Sequence, residues 1–139
     1  MLAHEVLRKA AEVVAAGWSH GAAAARDLNG DEVHLWGASV GGTSRVSVNP
    51  AAASFSMYGA VAKVLNSPAA SRTPANAMWM KLAEVAKRRS PSRIGGTNHV
   101  NPIIQFNADE GRTAADVIGL LHEAADELEQ AGLMAGRAS

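Results

Sequence analysis

Apolar side chains recur at helical spacing in four stretches of the chain. Over residues 2–16, Leu2, Ala3, Val6, Leu7, Ala10, Val13 and Val14 fall on one side, while Glu5, Arg8, Lys9 and Glu12 take the other. That is the period of an amphipathic helix, and Gly17 is its natural stop. Residues 51–66 carry Met57, Val61, Val64 and Leu65 on one side and run into Ser67-Pro68, where a helix must end. Thr73-Pro74 reads as an N-cap and first-turn proline. The helix it opens, 75–89, buries Met78, Leu82, Val85 and Ala86 with Trp79 beside them. Thr113 starts a fourth helix, with Asp116 at capping-box spacing. Val117, Leu121, Ala124 and Leu128 make its buried stripe, Asp116, Glu123, Asp126, Glu127 and Glu129 its solvated face, and Gly132 its end.

Between these stretches the period changes. Residues 33–40 and 43–48 alternate as two short strands around Gly41-Gly42, the two-residue connection that primed hairpin turns prefer. Residues 17–32 read as loop, with a short turn over Ala22–Arg26 and a turn signal at Asn29-Gly30. Residues 90–101 read as irregular loop, and Pro102–Phe106 as a short extended piece. The expected fold class is therefore α+β and mostly helical, with about four helices, one β-hairpin and a lone short strand. It fills a single small domain over 1–132, with 133–139 a frayed tail. The hairpin cannot be stable alone and must pack on the helices. Its tip holds Gly37-Ala38-Ser39-Val40-Gly41, which fits the pattern of a serine-hydrolase elbow. Such an elbow needs a helix after the serine, and here a strand pattern follows, so the match is accidental. The same hairpin, with Trp36, is the expected surface for homo-oligomer formation.

Composition narrows the class. A chain of 139 residues predicts one domain, large enough to bury roughly two-thirds of its unfolded surface without a disulfide or metal. Apolar residues make up 47% and aromatics only 4%, so alanine supplies much of the packing. The sequence has no cysteine, which excludes disulfides, thiolate metal sites and cysteine nucleophiles. The N-terminus is charged throughout, unlike a signal peptide, and no apolar run approaches the ~18 residues of a membrane span. A cytoplasmic protein without membrane contact is expected.

The net charge is zero, but it is unevenly spread. Residues 1–50 sum to −1, residues 51–100 to +6 and residues 101–139 to −5. Either the basic middle and acidic end face each other, or the basic segment meets an anionic partner. Its densest part is 87–99: Lys87, Arg88, Arg89 and Arg93, followed by Gly95, Gly96, Thr97, Asn98 and His99. Arginines grip phosphate with paired N–H bonds, and glycines let backbone N–H groups approach it. The segment is not a P-loop, since no G-K-[ST] follows. It suits a nucleotide or an acidic protein partner; the competing reading is a solvated loop whose cations favour a helix C-terminus. Nucleic acid is less favoured, because no aromatics interleave with the cations and the chain is neutral. His4, His20, His34, His99 and His122 show no metal-ligand spacing, so neither metal nor cofactor is expected.

Three ordered pieces carry a resemblance: residues 10–30 (with Gly17, Trp18, Arg26, Asp27, Gly30), residues 56–65 (with Gly59-Ala60) and residues 103–128 (with Asn107, Gly111, Arg112, Thr113, Val117). Together they resemble a domain-of-unknown-function family of small actinobacterial and actinophage proteins, with motifs GW…RDxxG…GA…NDxxGRTxxEV. The resemblance implies a bacterial or phage cytosolic protein, in the host cytoplasm if phage-encoded, and carries no activity. Two departures stand out. Ala108 occupies the family's aspartate position, with Asp109 one place later. The 33–48 region is longer than usual, and 71–101 has no clear match.

Each motif has a functional and a structural reading. Asn107–Thr113 is either an anion site at a helix N-terminus or a turn and cap. In the second reading, Asn107 bonds its own backbone, Gly111 takes positive φ, Thr113 caps, and Arg112 pairs with Asp27 or an acidic neighbour. Asp109 and Glu110 would repel an anion, which favours structure. Arg26-Asp27 reads as an ion pair tethering its loop. The expected function is thus a small non-enzymatic binding or interaction protein with an anionic ligand or partner at 87–99. A small hydrolase using Asp27, Asn107 and Asp109, and a DNA-binding accessory protein, are the alternatives.

Overall fold

The structure is a computed structural model and describes residues 1–21, 23–33, 51–89 and 100–138. Among these are five α-helices and a small antiparallel sheet: α1 (Ala3–Ala16), β1 (Ala25–Arg26), β2 (Glu32–Val33), β3 (Ser54–Phe55), α2 (Met57–Leu65), a single 3₁₀ turn (Pro68–Ala70), α3 (Ala75–Arg89), α4 (Val100–Ala108) and α5 (Ala114–Ala138). The class is α+β and mostly helical, as the periodicity predicts, with one helix more than expected.

α1 is where the amphipathic spacing puts it. Val6, Leu7, Ala10, Ala11 and Val14 are buried, and the helix packs against α5 and α2. Leu2 is not part of the buried stripe: it is the N-cap, exposed, and its N–H is taken by Glu5 Oε1 at 3.3 Å. α3 buries the predicted Met78, Leu82, Val85 and Ala86 and leans on α4 and α5. The core where these helices meet is filled by Phe106, Leu7, Met57, Met78, Leu82, Ile103, Leu120 and Leu121, all fully buried.

The sheet order is β2-β1-β3, with Ala25 opposite both Val33 and Phe55, and Arg26 opposite Glu32 and Ser54. Trp18 adds a parallel bridge to Phe55. The described hairpin is therefore β1–β2, in a stretch the sequence reads as loop. Two-residue strands are too short for an alternation pattern to register. The expected 33–40/43–48 hairpin, with Trp36, Ser39 and the elbow match, lies outside the described residues except for Val33.

Four further expectations are corrected. The helix expected from residue 51 begins at Met57, because Ser56 caps it (its Oγ accepts from Gly59 N at 3.1 Å) and β3 precedes it. Thr73 does not end its hydroxyl on α3: Oγ1 donates to Met1 O at 2.6 Å, and Pro74 O accepts the first bond, from Met78 N at 3.3 Å. Pro102–Phe106 is not extended but lies within α4. Pro102 occupies the first turn, where a missing N–H removes no helical bond. α5 does not stop at Gly132 but continues to Ala138; a single glycine costs a helix only about 1 kcal/mol.

Candidate functional site

The motif residues converge around Asn107, in the last turn of α4. Its side chain is fully buried, and all of its hydrogen-bonding capacity is directed inward. Oδ1 accepts from Trp18 Nε1 at 2.8 Å and from Met57 N at 3.0 Å. Nδ2 donates to Ser19 O and to Gly21 O, each at 2.9 Å. A buried amide offers two donors and two acceptor sites, so Asn107 is satisfied without water or ligand. The expected bond to its own backbone is not formed: Asn107 lies in a helix and staples α4 to the segment after α1 and to the first turn of α2.

The neighbouring residues serve the same joint. Arg112 Nε donates to Phe106 O at 2.8 Å, and Nη2 pairs with Asp109 Oδ2 at 2.9 Å. Its guanidinium lies over the Phe106 ring, 3.7 Å from the centroid. The acidic partner is thus Asp109, not Asp27. Gln105 Nε2 donates to Asp109 Oδ1 at 2.9 Å, and His20 Nε2 to the Asp109 carbonyl at 3.0 Å. His20 also sits 5.5 Å from the Trp18 ring; nothing local in the sequence links these residues, 89 positions apart. Gly111 takes the expected positive φ of 78°. Thr113 and Asp116 form the expected reciprocal box, with N-to-Oδ2 and N-to-Oγ1 contacts of 3.1 and 3.2 Å.

Gly59 faces the opposite wall. A Cβ there would overlap the Ala24 carbonyl, the same oxygen that accepts from Ser56 N at 2.9 Å. Glycine is needed here for closeness rather than for its φ. In the β1–β2 turn, Arg26 and Asp27 do not form the expected ion pair. Arg26 Nη1 donates to Gly30 O at 2.7 Å, and Asp27 Oδ1 accepts from Asn29 N and Asp31 N at 2.9 and 3.0 Å. Gly30 supplies φ of 85°.

The cations of the basic stretch meet the acidic helix. Arg88 binds Glu127 with both Nη atoms, at 2.6 and 3.2 Å, and Arg89 Nη2 reaches Glu123 Oε1 at 3.0 Å. Lys81 contacts Glu84 at 2.7 Å and Glu127 at 3.4 Å. The side chains expected to face solvent on α5 are therefore partly consumed in a clamp on α3. On α1, Arg8 holds Asp126 and Glu129, both at 2.8 Å. The pKa directions agree. Glu127 is lowered chiefly by its hydrogen bonds from Arg88, and Glu129 by those from Arg8; Lys81 is raised chiefly by Glu84. Lys87 is exposed and meets no carboxylate among the described residues. Arg93, Gly95, Gly96, Thr97, Asn98 and His99 lie outside the described residues.

Two open depressions flank α1. One, of ≈ 430 Å³, is lined by Met1, Glu5, Arg8, Lys9, Glu12 and His122. The other, of ≈ 340 Å³, lies between α1, β3 and α2. Neither is lined by Asp27, Asn107 or Asp109. Among the described residues, no group of three or more His, Asp or Glu could hold a metal ion, and no helix is long and apolar enough to cross a membrane.

These features define a small α+β domain in which one buried asparagine ties the end of α4 to the segment after α1 and to the start of α2. The chain belongs to the family of unknown function DUF6197, whose model matches residues 1–127. The match spans both 33–48 and 71–101, so the basic segment lies within the family's extent, unlike the motif-level resemblance suggests. No curated protein and no solved structure matches the chain.

Proposed function

We propose that this is a small non-enzymatic binding or interaction protein of bacterial or phage origin, working in the cytoplasm. The observation that carries this reading is the saturation of its polar motif residues. Asn107 has no hydrogen-bonding capacity left. The Asp109 carboxylate is held by Arg112 and Gln105, and Asp27 braces its own turn. A general base must reach a substrate proton from a site that substrate can enter, and these three groups line neither depression beside α1. His20 approaches Asp109 only through the backbone carbonyl. The hydrolase reading therefore has less support than binding.

The ligand or partner is anionic, a nucleotide or an acidic protein surface, and engages 87–99. Of the described cations, Arg88 and Arg89 are partly neutralised by Glu127 and Glu123, so Lys87 carries the recognition, with Arg93 the further cation that the sequence supplies. That partial neutralisation also counts against DNA binding, which gains from many free cations. A thermal-shift panel of nucleoside mono-, di- and triphosphates, with polyglutamate as the acidic-protein probe, tests this. The expected result is a rise in Tm with at least one probe, abolished by Lys87→Glu with Arg93→Glu. No shift with any probe, or a shift unchanged in the double variant, contradicts the assignment.

A further inference from the structure

Leu28 is 92% exposed, more than any other large apolar side chain of the described residues. A lone exposed leucine is ordinary, but this one stands on a turn that is held from every side. Asp27 N donates to Asp31 O at 2.9 Å and Gly30 N to Asp27 O at 3.1 Å. The Asp27 carboxylate accepts from Asn29 N and Asp31 N, and the Arg26 guanidinium donates to Gly30 O. An anchor held this way loses little freedom when it docks. Beside it, Asp31 and Glu32 are exposed and meet no cation among the described residues.

The ≈ 340 Å³ depression has the complementary character. Val13, Ala52, Ala53 and Phe55 give it an apolar lining, and its charged residues are Lys9, Lys63 and Glu12, two cations against one acid. Lys9 is shared with Glu12 at 3.7 Å. Lys63 lies 4.8 Å from the Phe55 ring centroid and meets no carboxylate among the described residues. An apolar knob flanked by two unpaired acids thus matches an apolar depression holding an unpaired cation. The two are also neighbours in the fold: Ala53 N donates to Arg26 O at 2.7 Å, and Ser54 lies opposite Arg26.

We propose that the Leu28 turn of one copy seats in the Phe55–Lys63 depression of a second copy, so that the protein self-associates. Since knob and depression are adjacent on one chain, a two-fold pairing lets each copy fill the other's depression, and the assembly closes as a dimer instead of growing into a filament. Leucine supplies the buried area, and the Asp31/Glu32-to-Lys63 charges set the orientation.

Sedimentation over a concentration series into the millimolar range tests the proposal. The parent chain should pass from monomer to dimer. Leu28→Asp and Lys63→Glu should each raise the dissociation constant at least about tenfold, and the Leu28→Asp monomer should melt as the parent monomer does because that side chain is exposed. An Asp31→Lys/Glu32→Lys chain should likewise fail alone. Mixed with the Lys63→Glu chain it should recover a heterodimer, since both contacts are then charge-matched. A parent that stays monomeric at the highest concentration, a Leu28→Asp chain that dimerises as tightly as the parent, or a mixture that stays monomeric would overturn it.

Discussion

Gly59 and Gly132 are both helical glycines, and the same substitution should move them in opposite directions. Alanine is the better helix former by roughly 0.8–1 kcal/mol. At Gly132 a Cβ meets nothing within 4 Å, so Gly132→Ala should stabilise the chain by about 0.5–1 kcal/mol. At Gly59 the Cβ would run into the Ala24 carbonyl, backbone that cannot step aside without breaking its bond to Ser56. Gly59→Ala should therefore destabilise by about 2 kcal/mol or more. Denaturant midpoints of the two variants check both signs, and a stabilised Gly59→Ala would refute the close approach. The sequence shows a glycine at each position but not which one touches something. The residues legible from sequence were those whose partners are local. Thr113 and Asp116 are three positions apart, and their box is written in their spacing. Asn107 has partners 50, 86, 88 and 89 positions away, so its role as a joint is invisible until the chain is folded.

At the scale of elements, the long amphipathic helices were readable because each has enough turns for its period to stand out. The three strands were not, since two residues cannot alternate convincingly. α4 was hidden by Pro102, which signals a break inside a helix but is harmless in the first turn. The basic and acidic segments were visible as charge; their pairing was one of two readings, and the α3–α5 clamp realises it for Lys81, Arg88 and Arg89. The clamp makes stability depend on pH. Glu127 and Glu129 titrate below their ordinary values, so near pH 4 the folded chain holds fewer protons than the unfolded one, and stability rises with pH. Their contribution is complete above the unfolded pKa of about 4.3 and is lost as pH falls through the lower folded values. Melting curves of Glu127→Gln/Glu129→Gln beside the parent, from neutral pH to about pH 3, check this. The variant should melt lower at neutral pH and converge with the parent in acid. A separation that does not change with pH would mean that the carboxylates contribute through packing alone.

For the whole molecule, the residues that carry the sequence resemblance describe how the fold is held together. Trp18, Asn107, Arg112 and Gly59 bring the stretch after α1, the start of α2 and the end of α4 to one point, and Arg26, Asp27 and Gly30 set the hairpin that projects from it. The polar groups of this joint are spent on one another, while Leu28 on the hairpin tip is exposed. Asn107→Asp is the most direct measurement of this account, because it changes one atom of the central joint. The carboxylate still offers acceptors to Trp18 and Met57 but turns two bonds to Ser19 O and Gly21 O into repulsions, with a charge buried beside them. Equilibrium denaturation should show stability lowered by at least about 3 kcal/mol, lost across the whole fold in one transition. A variant that unfolds at the parent's midpoint would contradict the central role of Asn107 in holding the molecule together.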